Sequence, residues 1–176
     1  MLGRCFIFLG TVLMAATFGC KPEEGVTLKK VESMKVALIS VQGPYSEIGP
    51  VFGELYGWLS KKGVQPAGLP FGIYYDNPDE VPPEECRYDI CVPIAVQVES
   101  DERVQIKELP EIEVASFIHK GAYEKVNSSW KKVYTWIYRN NYKPAGPGRE
   151  VYLNSPEEVP EDSLLTEIQV PIKKKT

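Results

Sequence analysis

The chain has 176 residues, of which 43% are hydrophobic and 25% charged. That is room for one domain with a real core, and it excludes a disordered or fibrous chain. Twenty Lys and Arg stand against 24 Asp and Glu, a net charge of −4, so the basic face that nucleic-acid binding normally requires is not expected.

The first residues read MLGRCFIFLGTVLMAATFGC. Arg4 supplies a single positive charge, and Cys5 to Phe18 is an apolar run, shorter than the roughly 20 residues a membrane-spanning helix needs. This is the pattern of a signal peptide, expected over 1–19. Gly19 before Cys20 resembles a bacterial lipobox, although Thr17 stands where that motif prefers Leu. The expectation is export, with a lipid on Cys20 holding the chain to a bacterial membrane. The polar stretch 20–33, containing KPEEGVTLKKVES, is expected to be a tether. Cys86 and Cys91 then remain in the mature chain. Five apart on one expected strand, they point to opposite faces, so two free thiols or one exposed thiol are expected rather than a disulfide, and the C-x4-C spacing beside a single histidine is a poor metal site, so no metal is expected.

The rest of the chain is organised by an internal repeat. VALISVQGPYSEIGPVFGELYGWLSKKGVQPAG begins at Val36, and VASFIHKGAYEKVNSSWKKVYTWIYRNNYKPAG begins at Val114, an offset of 78. At that offset Tyr45 meets Tyr123, Trp58 meets Trp136 and Pro66-Ala67-Gly68 meets Pro144-Ala145-Gly146. Without a gap, YYDNPDEVPPEECRYDICVPI from Tyr74 then meets YLNSPEEVPEDSLLTEIQVPI from Tyr152. The domain 34–176 is thus a duplication, with module one at 34–98, module two at 112–174, and ESDERVQIKELPE as the connection.

Each module predicts the same elements in the same order. A strand (35–41 or 113–119) runs into a GPY or GAY turn. A helix follows, about 48–62 or 125–141, with Phe52, Leu55, Trp58 and Leu59, or Trp130, Val133, Trp136 and Ile137, on one stripe. A Pro/Gly break ends the helix. Two strands, near 71–75 and 88–98 or 150–153 and 165–173, flank an acidic, Pro-rich loop. A β-α-β-β unit used twice predicts an α+β fold: an antiparallel sheet with two main helices on one face and pseudo-twofold symmetry. In TEIQVPI, the apolar Ile168, Val170 and Ile172 must face the helix, so Glu167 and Gln169 face away from it. Asp89 occupies the position of Glu167 in module one. A carboxylate on a strand's polar face is ordinarily just solvated. A groove between the modules that combined such acids with Tyr74 and Tyr152 would attract cationic or amphipathic ligands.

This order of motifs (strand, G-x-Y, Trp-bearing helix, Y…P-E-E-V-P, E-I-x-V-P-I) resembles the GyrI-like small-molecule-binding domain, which also forms the effector-binding domains of AraC- and MerR-type multidrug regulators. The resemblance covers about 34 to 174. It implies paired β-α-β-β modules around a central ligand groove, with Glu167 at the groove floor and Tyr152, Tyr123 and Trp130 as groove aromatics. Between 34 and 174 no segment reads as a helix-turn-helix, so DNA binding is not implied. The expected function is a membrane-anchored binder of small amphipathic or cationic molecules, with no cofactor and no nucleic-acid partner. The alternative is a hydrolase of small reactive compounds, in which Glu167 is the general base. A related duplicated haem-binding family would make His119 an axial ligand, although a core histidine is the simpler reading. A structural role, with the groove filled by side chains, is the remaining alternative.

Overall fold

The computed structural model describes residues 25–176. The expected signal peptide (1–19), the lipid acceptor Cys20 and the start of the expected tether lie outside these residues. Among the described residues no helix is long and apolar enough to cross a membrane.

Helix α1 spans Ile48–Lys61 and α2 spans Asn127–Arg139. In α1 the buried stripe is Val51, Leu55 and Leu59; in α2 it is Val133, Trp136 and Ile137, the i, i+4 and i, i+3 spacings of a one-sided helix. The chain leaves each helix through a left-handed residue, Gly63 (φ 67°) after α1 and Asn141 (φ 63°) after α2. These two are equivalent in the repeat, and they are the residue types that adopt this conformation most readily.

Nine strands complete the fold: β1 (Thr27–Val31), β2 (Met34–Gln42), β3 (Phe71–Tyr74), β4 (Arg87–Pro93), β5 (Gln105–Leu109), β6 (Ile112–Lys120), β7 (Tyr142–Pro144), β8 (Gly148–Tyr152) and β9 (Leu165–Lys174). They form one sheet in the order β1-β6-β9-β8-β3-β4-β2-β5, with β7 also paired to β9. Every pairing is antiparallel. The modules meet where β3 pairs β8. There Phe71 faces Val151, Gly72 faces Glu150 and Ile73 faces Arg149. The repeat maps the first of these pairs onto the third, so the pseudo-twofold axis runs through the Gly72–Glu150 pair.

The α+β fold thus has the expected two-helix, antiparallel form, but with nine strands where six were expected: short β7 lies where only a break after the second helix was expected, and each module gains an edge strand. Thr27–Val31, expected within a tether, is strand β1, and Val26 before it packs into the core under α2. Gln105–Leu109, expected within the connection, is strand β5. The two strands are themselves repeat partners, and they are exchanged. β1 leads into module one yet pairs with β6 of module two, while β5 leads into module two yet pairs with β2 of module one. The segment free to act as a tether is correspondingly shorter than 20–33.

The helices cover one face of the sheet. α1 packs on Ala37, Ile39, Tyr88, Ile90 and Val92, and α2 on Ala115, Ile168, Val170 and Ile172. The other face carries no helix, yet Val36, Leu38, Phe71, Ile73 and Cys91 on it are buried as a third core. A sheet face without a covering layer is buried when the sheet curls over itself. The same curl lets two residues, Glu32 and Ser33, link β1 at one edge to β2 near the other.

Candidate functional site

On the helix face of β8, Gly148, Glu150 and Tyr152 alternate with Arg149 and Val151 of the opposite face. Across the ladder, Gly72 lies opposite Glu150 and Tyr74 opposite Gly148. These residues floor the space between the two helices. Its walls are aromatic. The Tyr45 ring is 5.1 Å from Tyr74, and Phe52 of α1 is 5.4 Å from Tyr152. Tyr123, in the turn before α2, is 5.6 Å from Tyr152, and Trp130 of α2 is 6.4 Å from Tyr74. All six rings are half-buried, so the cluster is not sealed from solvent.

Two glycines make the floor possible. A Cβ at Gly148 would overlap the Trp130 indole, and a Cβ at Gly72 would meet the Tyr74 hydroxyl at 2.7 Å. On the twofold axis only one copy of the repeat keeps a side chain, and that side chain is Glu150. Gly148→Ala is therefore expected to push Trp130 off Glu150 and cost about 1–3 kcal/mol, the usual range for overpacking. An unchanged urea midpoint would show that the ring is not held there.

Glu150 is 8% exposed. Trp130 Nε1 donates to its Oε1 at 2.6 Å, and the Tyr152 hydroxyl donates to Oε2 at 3.4 Å. The Tyr74 and Tyr152 hydroxyls are 2.5 Å apart. With Tyr152 donating to the acid, Tyr74 donates to Tyr152. Among the described residues no cation pairs with this carboxylate. Burial raises its pKa above the ordinary carboxylate value, and the Trp130 indole and the neighbouring tyrosine hydroxyls offset only part of that rise. Burial and the neighbouring acid likewise hold the Tyr74 and Tyr152 hydroxyls far above their usual range, so both remain donors. Thr166 lies opposite Tyr152 on β9, and its Oγ1 is the one buried side-chain polar atom without a hydrogen-bond partner among the described residues.

The residues expected from sequence divide between the two faces of the sheet. Tyr74, Tyr152, Tyr123 and Trp130 come together around Glu150. Glu167 and Asp89 lie on the opposite face, so the single groove that would join them to those tyrosines does not form. The parity of β9 accounts for the split, because Ile168, Val170 and Ile172 pack under α2 and send Glu167 to the far side. There Glu167 is saturated. Lys29 Nζ lies 2.6 Å from one of its oxygens and 2.9 Å from the other, Gln169 Nε2 donates at 2.9 Å, and Ser116 Oγ donates as well. Burial alone would raise its pKa, but these donors outweigh burial and hold it below the ordinary carboxylate value. Asp89 accepts from the Tyr75 hydroxyl at 2.7 Å.

His119 is buried, with Nε2 3.2 Å from the Ala122 carbonyl and Nδ1 2.9 Å from Ser129 Oγ. A carbonyl only accepts, so Nε2 carries the proton and Ser129 donates to Nδ1. Both nitrogens are used, Nδ1 in fastening β6 to α2 and Nε2 in holding the turn between them. Cys86 and Cys91 are free and buried. No group of three or more His, Cys, Asp or Glu capable of holding a metal ion occurs among the described residues. Glu150 was not among the residues expected from sequence, although a signal for it exists: it lies two residues before Tyr152, and so on the same strand face.

Comparison with known proteins shows the family and the fold. A model of the GyrI-like small molecule binding domain matches residues 25–173. A DNA gyrase inhibitor of Edwardsiella piscicida is 35% identical over 71 residues, which are 40% of this chain and 44% of that protein; the match thus spans less than half of that relative. Among solved structures, an EcmrR–DNA complex superposes with a TM-score of 0.78 at 19% identity, covering 85% of this chain and 57% of that one. SAV2435 bound to tetraphenylphosphonium superposes with a TM-score of 0.58 at 16% identity, covering 84% of this chain and 93% of that one.

Proposed function

Because the chain belongs to the GyrI-like small-molecule-binding family, we propose that it binds amphipathic cations in the aromatic groove between α1 and α2, with Glu150 as the counter-charge. The observation that carries this reading is Glu150 itself. A buried carboxylate without a cation is costly, and it is relieved by taking up a proton or by receiving a positive ligand. Six half-buried rings around it supply apolar area and cation–π contacts for a bulky aromatic cation. Export and lipid attachment at Cys20 belong to the same proposal, which makes the protein a membrane-held binder of small molecules. Mass spectrometry of the intact membrane-fraction protein would read a diacylglycerol adduct on Cys20, and its absence removes that part.

The test of the binding itself uses tetraphenylphosphonium, the ligand found with SAV2435, and neutral triphenylphosphine oxide of similar bulk. Calorimetry is expected to show the cation binding at least tenfold more tightly than the neutral compound. Equal affinities would leave a greasy cleft in which Glu150 has no part. The hydrolase alternative loses support at Glu167, because a carboxylate held below its usual pKa by three donors is a poor general base at neutral pH.

A further inference from the structure

The helix-free face holds a cavity of about 340 Å³, whose lining includes Val31, Met34, Leu69, Phe71, Val151 and Arg149. This is within the range of small-ligand sites. Its walls are apolar apart from Arg149 and the group of Lys29, Glu167 and Gln169. Arg149 is only 7% exposed, and its guanidinium lies over the Phe71 ring at 5.4 Å. No hydrogen bond or ion pair to its side chain occurs among the described residues. The acids that face this side from neighbouring strands are engaged elsewhere: Glu167 is held by Lys29, Ser116 and Gln169, and Asp89 accepts from Tyr75. Lys29 neutralises Glu167, so the cavity keeps one net positive charge, and that charge sits on a planar fork of donors.

We infer that this cavity binds a small monocarboxylate with an apolar tail, its carboxylate paired to the Arg149 guanidinium and its tail lying along Met34, Phe71 and Val151. A guanidinium on a largely buried side chain, reaching solvent only at its edge and lacking an anion, is an arrangement that a carboxylate completes in bidentate geometry. The stacking on Phe71 holds the fork in place while leaving its N–H edges free. One net charge and an apolar wall select a singly charged amphiphile over a polyphosphate or a sugar acid. The site is separate from the groove of Glu150. Arg149 and Glu150 are adjacent on β8 and point to opposite faces of the sheet, so the two sites take ligands of opposite charge back to back.

The probe is octanoate, titrated into the protein without lipid, with 1-octanol as the neutral control. Octanoate is expected to bind at least tenfold more tightly than octanol, with NMR contacts from its chain to the Met34 and Val151 methyls. Arg149→Met is expected to weaken octanoate at least tenfold and to leave tetraphenylphosphonium binding within twofold of wild type. Arg149→Lys, which keeps the charge and loses the fork, is expected to fall between the two, and it serves if Arg149→Met does not fold. No saturable octanoate binding, equal binding of octanol, or contacts placed anywhere else in the wild-type protein would overturn the inference. Loss of tetraphenylphosphonium binding alone would strike at the Glu150 groove and leave this site standing.

Discussion

Replacing Glu150 by glutamine is expected to make the ligand-free protein more stable and a worse binder at once. The side chain keeps its shape and can still accept from Trp130, but it no longer carries a buried charge. Glu150's pKa is raised above the ordinary carboxylate value of 4.5 by burial. The folded state therefore holds a proton that the unfolded chain has already released. The stabilisation from that proton is complete below about pH 4.5 and is lost as pH rises through the folded-state pKa. Glutamine does not titrate, so the variant's advantage should be absent in acid and grow toward neutral pH. There it should reach on the order of 1 kcal/mol, a common gain at sites kept strained for function. Affinity for tetraphenylphosphonium should fall by at least about 30-fold, since removing one member of a desolvated charge pair costs about 2 kcal/mol or more. Paired urea titrations at pH 4 and pH 7 read the first effect. A variant that is less stable at pH 7 than at pH 4, relative to wild type, would show that Glu150 is not held as a strained acid.

Deleting residues 25–31 is expected to cost far more than the loss of a tether would. β1 makes five ladder pairs with β6, from Thr27–Ser116 to Val31–Ile112. Val26 enters the core under α2. Lys29 supplies the cation for Glu167. The deletion bares the β6 edge, opens that core and leaves a largely buried carboxylate without its partner. Together these should remove several kcal/mol, a large part of the roughly 5–15 kcal/mol that holds a domain folded. Lys29→Met isolates the charge contribution, with an expected loss of about 1–3 kcal/mol. Glu167 has a lowered pKa, so its pairing stabilises above about pH 4.5 and fades as pH falls through its folded-state pKa. The cost of Lys29→Met should therefore shrink in acid. A deletion that melts with the full-length protein would return 25–31 to the role of a linker.

The modules were legible in the sequence because their apolar positions carry them. The offset of 78, the Trp-bearing helices and the alternation in TEIQVPI are core constraints, and each places an element close to where it lies. β1 and β5 were hidden for the opposite reason. TLKKV and QIKEL share only one identical residue, are charged along their exposed edges, and bury little. Such composition suits an edge strand that must not aggregate, and it reads equally well as a polar linker. The site was half legible. The family resemblance and the tyrosine-rich composition pointed to Tyr74, Tyr152, Tyr123 and Trp130. The acid that belongs with them follows from strand parity: Glu150 shares a face with Tyr152, and Glu167 opposes the face of Ile168. That the groove opens on the helix side was not legible, since it depends on how the two helices straddle the β3–β8 seam. Nor could sequence show that Glu150 sits on the pseudo-twofold axis opposite Gly72, which leaves room for a single acid.

The cation meets one of two acids, Glu150 on the helix face or Glu167 on the opposite face. Calorimetric titration of tetraphenylphosphonium into Glu150→Gln and Glu167→Gln, side by side at pH 7, reads this directly. The predicted result is a loss of at least 30-fold for Glu150→Gln, with Glu167→Gln within about threefold of wild type. A strong loss for Glu167→Gln with little change for Glu150→Gln would place the cation on the helix-free face and contradict the proposed site.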